Sequence, residues 1–407
     1  MRRALPQRAA NYEPAFNVEK LTILTTLKYY LPGSKAGGSL RTVCNFADAL
    51  GDDFDIRIVS MDRDLGDTEP YRGVKIDEWQ RVGKAQVYYV SPRNQGVRAL
   101  ARLMNETHHD VLYLNSFFSP VFTIKPLLAM RIGLARRVPT VLAPRGEFSE
   151  GAIRLKYLKK KTYLNVYKAL LFREPILFQA STPMEVTDIA RNLGPKTSIF
   201  VARDIVCRHE AKGLSAPEGD ALQVCFISRI SPKKNLKFAL EILSRVKVPV
   251  VFDIYGTIED KPYWKECLKI IERMPPNVRV NSCGAIGMDE VVGAFSRHDL
   301  FLFPTFGENF GHVIMESLLA GTPVLVSDTT PWKDLEKQGS GWVLPLGDVE
   351  RWARIVDELA ATDRQARLAV RKAIREQAAT VGFDEGVLRD NKELFIRAVE
   401  MRGSAQA

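Results

Sequence analysis

Several large classes of protein are excluded by what this chain lacks. No uncharged apolar run approaches the roughly 18–20 residues that cross a bilayer as a helix. The opening residues, MRRALPQRAANYEPAFNVEK, are basic but carry no apolar stretch of the secretory kind, so a cytoplasmic protein is expected. Cysteine is scarce. Cys44, Cys207, Cys225, Cys267 and Cys283 are scattered, odd in number and contain no CxxC, which favours reduced thiols over a zinc site or a disulfide framework. Neither a repeat of 20–50 residues nor a low-complexity tract is found.

What is present is the composition of a folded protein: 407 residues, 46% hydrophobic and 26% charged, enough for two or three domains with cores of their own. Lys and Arg outnumber Asp and Glu by 58 to 48, a net charge of +10. From Arg145 to Arg173 the chain holds eight Lys or Arg against two acids. An anionic partner follows, whether nucleic acid, a phospholipid surface or a phosphorylated substrate.

Short apolar runs alternate with helical patterns along the whole chain. Strands are expected at 21–26, 54–60, 86–91, 110–115, 139–144 and 176–181, with helices near 38–49, 121–134, 152–171 and 183–193. The second half continues with strands at 222–228, 250–256, 277–281, 300–305 and 323–327. Helices are expected there near 235–246, 262–273, 288–297, 312–320, 348–361 and 364–380. Near-continuous apolar strands separated by helices point to parallel sheets covered on both faces. The segment 207–221, CRHEAKGLSAPEGDA, has Gly, Pro, Ser and charge without periodic apolar content, and is read as a linker. The fold class is therefore α/β, with two doubly wound domains facing across a cleft. Ligands of such sheets bind at the carboxyl ends of the strands.

Four loops after strands stand out. In 300–328, FGENFG leads into a helix expected to begin near Gly311 or His312, with Glu308 in the loop and Glu316 about a turn into the helix. The first-turn amides form an anion site, and the two carboxylates can accept hydrogen bonds from a hydroxyl-rich ligand. Glu316 sits among apolar residues, where a charge needs a partner. In 226–243, Arg229 follows a strand and Lys234 opens a helix near Asn235, a possible N-cap. Cations there oppose the helix dipole and suit a diphosphate, while Lys233 and Lys237 are expected to be solvated. In 29–43, Gly37 and Gly38 open the first helix, in neither a P-loop nor a GxGxxG pattern. In 141–171, Arg145, Gly146 and Glu147 follow a strand. Behind them Leu155, Leu158, Tyr163, Val166 and Leu170 alternate with Lys156, Lys159, Lys160, Lys161 and Lys168. Such a basic amphipathic helix can lie on an anionic membrane or pack with a solvated lysine face.

Taken together, these residues resemble the large retaining glycosyltransferase family 4 (glycosyl transferases group 1) of GT-B fold, over roughly 20–385. The family's Glu, seven residues, then Glu is matched by Glu308 and Glu316 within GENFGHVIME; its Arg and Lys by Arg229 and Lys234; its Gly-Gly by Gly37 and Gly38. The segments APRGE, DVLYLNSFF and SDTTPW look like a subgroup acting in bacterial surface-polysaccharide assembly. The resemblance implies an acceptor-side domain at 1–206, the linker at 207–221, a nucleotide-sugar-binding domain at 222–384, and a helix at 385–407 that crosses back.

By the same resemblance, Glu316 would bind ribose hydroxyls and Glu308 the donor sugar. Arg229 and Lys234 would hold the diphosphate, helped by amides at Asn309, Phe310, Gly311 and Gly38. The base would lie near Gly284 and Ile286. The donor would be a UDP- or GDP-sugar, and the acceptor a glycan or lipid-linked oligosaccharide. No cofactor and no metal is called for if Arg and Lys meet the charge of the leaving diphosphate. Many relatives carry a His in the first domain's cleft. Here Pro144-Arg145-Gly146-Glu147 takes its place, so Arg145, Glu147 and Asn115 become the acceptor-side candidates, and His312 is given a packing role. Apart from the resemblance, the basic patch of the 152–171 helix suggests peripheral association with the cytoplasmic face of the inner membrane, with a packed helix and solvated lysine face as the alternative. A nucleotide-sugar epimerase could share this form. A glycoside hydrolase has no use for Arg229 and Lys234, and a nucleic-acid-binding protein would show a reader motif with stacked aromatics.

Overall fold

The computed structural model describes residues 20–154, 157–168, 175–206, 219–382 and 384–406. Most of the linker, together with Cys207, Leu155, Lys156 and Leu170, lies outside the described residues. The first domain runs β1 (Thr22–Thr26), α1 (Gly38–Leu50), β2 (Asp55–Met61), β3 (Trp79–Val82), β4 (Ala85–Val90), α2 (Val97–Glu106), β5 (Val111–Asn115) and α3 (Lys125–Arg131). It continues through β6 (Thr140–Ala143), α4 (Glu150–Arg154), α5 (Tyr157–Val166), β7 (Ile176–Ala180), α6 (Pro183–Leu193) and β8 (Ile199–Val201). The second domain runs β9 (Leu222–Ile227), α7 (Leu236–Leu243), β10 (Val250–Tyr255), α8 (Lys261–Ile271), β11 (Val278–Gly284), α9 (Val291–Ser296), β12 (Leu300–Phe303) and α10 (His312–Leu319). It ends with β13 (Val324–Ser327), β14 (Gly341–Leu344), α11 (Val349–Ala361) and α12 (Arg364–Gly382), and α13 (Glu385–Gln406) then returns to the first domain.

The strands assemble into an eight-stranded sheet ordered β3-β4-β2-β1-β5-β6-β7-β8 and a six-stranded sheet ordered β11-β10-β9-β12-β13-β14. Every pairing is parallel except β3 with β4. In the first sheet neighbouring residues serve opposite faces. Ile23 of β1 joins a core with α1 and α13, and Leu24 joins one with α2 and α3. Strand order reverses between β1 and β5 in one sheet and between β9 and β12 in the other. The crevice outside such a reversal is where open α/β sheets take ligands. The loops after β1, β9 and β12 carry Gly37, Arg229 and Glu308.

The chain ends on the first sheet. Leu394, Phe395 and Ala398 of α13 are buried in its core, with the Phe395 ring 5.4 Å from Phe46 and 5.2 Å from Tyr113. Burying each of the two larger side chains is worth roughly 1.5–3 kcal/mol. Arg203 pairs with Asp384 at 2.6 Å, and Asn391 Nδ2 donates to the Arg203 carbonyl at 2.9 Å.

The predicted basic helix at 152–171 departs from its expectation. Among the described residues it packs through Leu164 and Tyr167 rather than through Leu158 and Val166. Leu158 is 78% exposed, and Tyr157 and Val166 are also exposed. Tyr163 and Tyr167 stand 5.3 and 4.8 Å from the Phe117 ring, which fixes the orientation and turns Leu158 outward.

Candidate functional site

The two reversal points face one another. Gly37, at the N-cap of α1, has φ 77°, a conformation that costs a side-chain-bearing residue energy. A Cβ there would stand 3.3 Å from Arg229 Nε, so this glycine lets the first domain's backbone approach the second domain's cation. Gly38 faces open space. Between them lies a cleft whose lining includes Gly37, Gly38, Arg41, Arg229, Lys234, Ile286, Glu308 and His312. A second cavity adjoins it and is lined by Gly146, Glu185, Asp188, Lys233, Asn309 and Asp328 among others. Glu308 borders both.

Within the cleft the cations are met by carboxylates. Lys234 Nζ donates to Glu308 Oε1 at 2.5 Å, and Thr305 Oγ1 donates to the same oxygen at 3.2 Å. Arg229 Nη1 donates to Glu259 Oε2 at 2.9 Å. Lys35, from the first domain, pairs with Asp67 at 2.5 Å. Glu316 is 7% exposed, and the partner its apolar surroundings demand is Arg41 of α1, reached across the domain boundary. Asn235 adopts the left-handed conformation, φ 58°. Its side chain does not cap α7 but donates to the Pro304 carbonyl at 2.9 Å, tying the Arg229 loop to the end of β12.

A second cross-domain link lies beside the first. His312 Nε2 lies 2.8 Å from Thr42 Oγ1 and 3.4 Å from Asp204 Oδ2. This ring was expected only to pack. It does lie 5.0 Å from the Phe310 ring, but its nitrogen also joins the opposite domain. Asp204 accepts from Thr42 at 2.9 Å, Ser181 at 2.9 Å and Arg145 at 2.6 Å. Burial alone would raise the Asp204 carboxyl. The Arg145 charge and the hydrogen bonds from His312 and Ser181 outweigh it and hold the group well below the usual carboxylate range.

The acceptor-side candidates take other positions than expected. Arg145 does not reach either cavity's lining. Its nitrogens donate to Asp204, to Asn115 Oδ1 at 2.7 and 3.2 Å and to Tyr113 Oη, inside the first domain. Glu147 is equally committed. Its oxygens accept from Ser116 Oγ at 2.8 Å and from the Phe117 and Phe118 amides at 2.6 and 3.0 Å, bracing the loop after β5. Asn115 is buried by the same network, and its Nδ2 has no hydrogen-bond partner among the described residues.

Three more expectations are revised. Asn309 lines the second cavity, where its Nδ2 donates to Ser181 Oγ at 3.3 Å. The Phe310 carbonyl accepts from Trp332 Nε1 at 2.6 Å, and a Cβ at Gly311 would meet that same indole nitrogen at 3.2 Å. His312 and Val313 therefore line the first cleft in place of residues 309–311. Lys233 is not a free surface lysine but lines the second cavity, and burial lowers its pKa. Near Gly284, φ 77°, it is Ala285, Ile286 and Met288 that line the cleft.

Residues the sequence did not disclose are Arg41, Tyr255, Gly256 and Thr257. A Cβ on Gly256 would fall 1.9 Å from the Ser228 carbonyl oxygen, so only glycine lets the ends of β9 and β10 close together behind Arg229. Arg41 had a readable signal. It lies four residues after Gly37, one helical turn along the same face. Among the described residues no group of three His, Cys, Asp or Glu side chains is placed to hold a metal ion, and no helix is long and apolar enough to cross a membrane.

Comparison with known proteins bears on the fold. Residues 209–378 match the family model described as Glycosyl transferases group 1. Sulfoquinovosyl transferase SQD2 of Arabidopsis thaliana is 25% identical over 191 residues, 46% of this chain and 36% of that protein. O-antigen chain mannosyltransferase B of Escherichia coli is 23% identical over 190 residues, 44% of this chain and 48% of that protein. These matches span less than half of either relative. Among solved structures, HepE of Anabaena in complex with UDP and glucose superposes with a TM-score of 0.68 at 19% identity, covering 92% of this chain and 98% of HepE. Sucrose-phosphate synthase of Thermosynechococcus elongatus gives 0.71 at 15% identity, covering 93% and 99%. At such identities the likeness is one of fold. The protein has the GT-B fold, and the stretch of its chain that holds most of the second domain is similar to the glycosyl transferases group 1.

Proposed function

We propose that the protein transfers a hexose, with retention of configuration, from a nucleoside-diphosphate sugar to a hydroxyl of a glycan or lipid-linked oligosaccharide. One observation carries the reading: Arg229, Lys234 and Glu308 converge with Gly37 and Gly38 on one interdomain cleft, and Glu316 pairs with Arg41, which lines the same cleft. In this reading Glu316 takes the ribose hydroxyls, Glu308 the donor sugar, and Arg229 and Lys234 the diphosphate. The bond from the anomeric carbon to the β-phosphate oxygen breaks, and its electron pair leaves with the phosphate. The acceptor oxygen bonds to that carbon on the same face and gives its proton to the departing phosphate. Fixed cations stabilise the negative charge as it grows, so the proposal includes no metal. The cavity beyond Glu308 is the acceptor side, and burial raises two of the carboxyls that line it, Glu185 and Asp188.

The exposed Leu158 and Tyr157 beside Lys159 and Lys161 support peripheral docking on an anionic membrane surface. UDP- and GDP-sugars are both within the proposal. Calorimetry and thermal shift with UDP, GDP and their sugars test it, since a native-state ligand raises stability by mass action. Binding of one family, with acceptor-dependent release of the diphosphate, is expected. No binding, or an isomerised sugar nucleotide made without acceptor, would overturn it.

A further inference from the structure

The cleft's ion pairs fall into two kinds. Lys35 with Asp67, Arg229 with Glu259 and Lys234 with Glu308 each join residues of one domain. Arg41 with Glu316 joins the two domains, and its side chains are among the less exposed, at 16% and 10%. Arg41 lines the cleft with Arg229 and Lys234. Its amide donates to the Gly37 carbonyl at 3.3 Å, and Gly37 is the residue whose missing Cβ faces Arg229 Nε. Arg41 thus stands one helical turn from the glycine that faces Arg229.

We infer that Arg41 is a diphosphate-binding residue supplied by the first domain, held on Glu316 until a nucleoside diphosphate makes the two exchange partners. The inference rests on the donor-site reading above, in which ribose hydroxyls take the Glu316 oxygens. A ribose there deprives Arg41 of its anion in a poorly hydrated place, and stripping one partner from a buried pair leaves an uncompensated charge. A diphosphate in the same cleft supplies a new anion, and guanidinium matches phosphate oxygens in bidentate fashion. A nucleoside without phosphates breaks the Arg41–Glu316 pair and offers nothing in return. Arg41 therefore sets discrimination as well as affinity: it favours the diphosphate and opposes the bare nucleoside. Because it arrives from the opposite domain, it also makes full stabilisation of the leaving group depend on the domains being together.

The test is calorimetric binding of UDP, GDP, uridine and guanosine to the full chain and to Arg41→Gln. For the base the wild type accepts, the variant is expected to bind the diphosphate roughly tenfold or more weakly and the nucleoside equally or more tightly. Two effects of opposite sign are not produced by a merely structural role. If diphosphate affinity is unchanged or rises, Arg41 is only a latch on Glu316 and the assignment fails. If both ligands weaken in parallel, Arg41 only shapes the domain boundary and the assignment fails too.

Should Arg41→Gln not fold, Glu316→Gln and Arg41→Gln/Glu316→Gln carry the comparison, since neither leaves a lone charge at Glu316. The double variant is expected to bind the diphosphate roughly tenfold more weakly than the single one, and equal affinities would overturn the role. A wild type that binds diphosphate while the variants do not differ from it sinks this assignment alone. A wild type that binds neither diphosphate sinks the donor-site reading and this assignment with it.

Discussion

Arg145 and Arg229 occupy equivalent places in their domains, each two residues beyond a strand, β6 and β9. In sequence they carry the same signal, a cation at the carboxyl end of a parallel strand. In the fold they diverge. The Arg145 side chain is 7% exposed, takes φ 56° and spends its donors on Asp204, Asn115 and Tyr113. The Arg229 side chain is 32% exposed, pairs once with the exposed Glu259 and lines the interdomain cleft. The difference lies in the company each one keeps. A buried acid from the same domain captures an arginine for the fold, and an exposed one leaves it exchangeable for a ligand.

The sharpest way to break this contrast is to remove the captor. Asp204→Ala strands Arg145 as a buried unpaired charge and should cost about 3–5 kcal/mol, read as a lower denaturation midpoint. A loss below ~1 kcal/mol would mean that Arg145 is as exchangeable as Arg229. Next, Arg229→Ala should slow sugar transfer by roughly 10²–10³ while changing stability by no more than ~1 kcal/mol, because its partner is exposed. Normal turnover with a large stability loss would reverse the assignment of the two arginines.

Acid sharpens the comparison further. The Asp204 carboxyl is held below its unfolded value, so the stability it contributes is complete above the unfolded pKa of about 3.9 and is lost as pH falls toward the folded one. The advantage of the wild type over Asp204→Asn should therefore be constant at neutral pH. Below about pH 4 it should shrink by up to about 1.4 kcal/mol per pH unit, and a gap independent of pH would refute the ion pair. The smallest effect belongs to the exposed helix. Lys159→Gln should weaken binding to anionic vesicles by roughly 1 kcal/mol at low salt, and unchanged co-sedimentation would remove that lysine from any membrane contact.

Most strands were legible because a strand buried on both faces is one apolar run. The strands that escaped notice, β3, β8 and β14, are edge strands, where one side has no neighbour. WQRV and IFV are half-exposed there and carry no such run. Glu308, Glu316, Arg229 and Lys234 could be placed because loop, helix start and charge are all local features. Their partners could not. Arg41 and Glu316 are 275 residues apart, and Thr42 and His312 are 270 apart. The misjudged acceptor side has the same origin. Arg145 sits after a strand as a ligand-binding residue would, and only the three-dimensional position of Asp204, 59 residues on, reveals that it is taken. Leu158 and Val166 follow the same logic: helical periodicity marks a stripe, but Phe117 decides which side of it is covered.

The last helix has a consequence for how this molecule comes into being. Leu394 and Phe395 complete the apolar interior begun by Ile23 and Phe46. On the ribosome, the lobe made first must wait with an open hydrophobic seam until the other lobe has been translated in full. Domains usually mature in the order of synthesis. In this chain the later lobe can close on its own while the earlier one is still unfinished, and the seam is where a chaperone would find its grip.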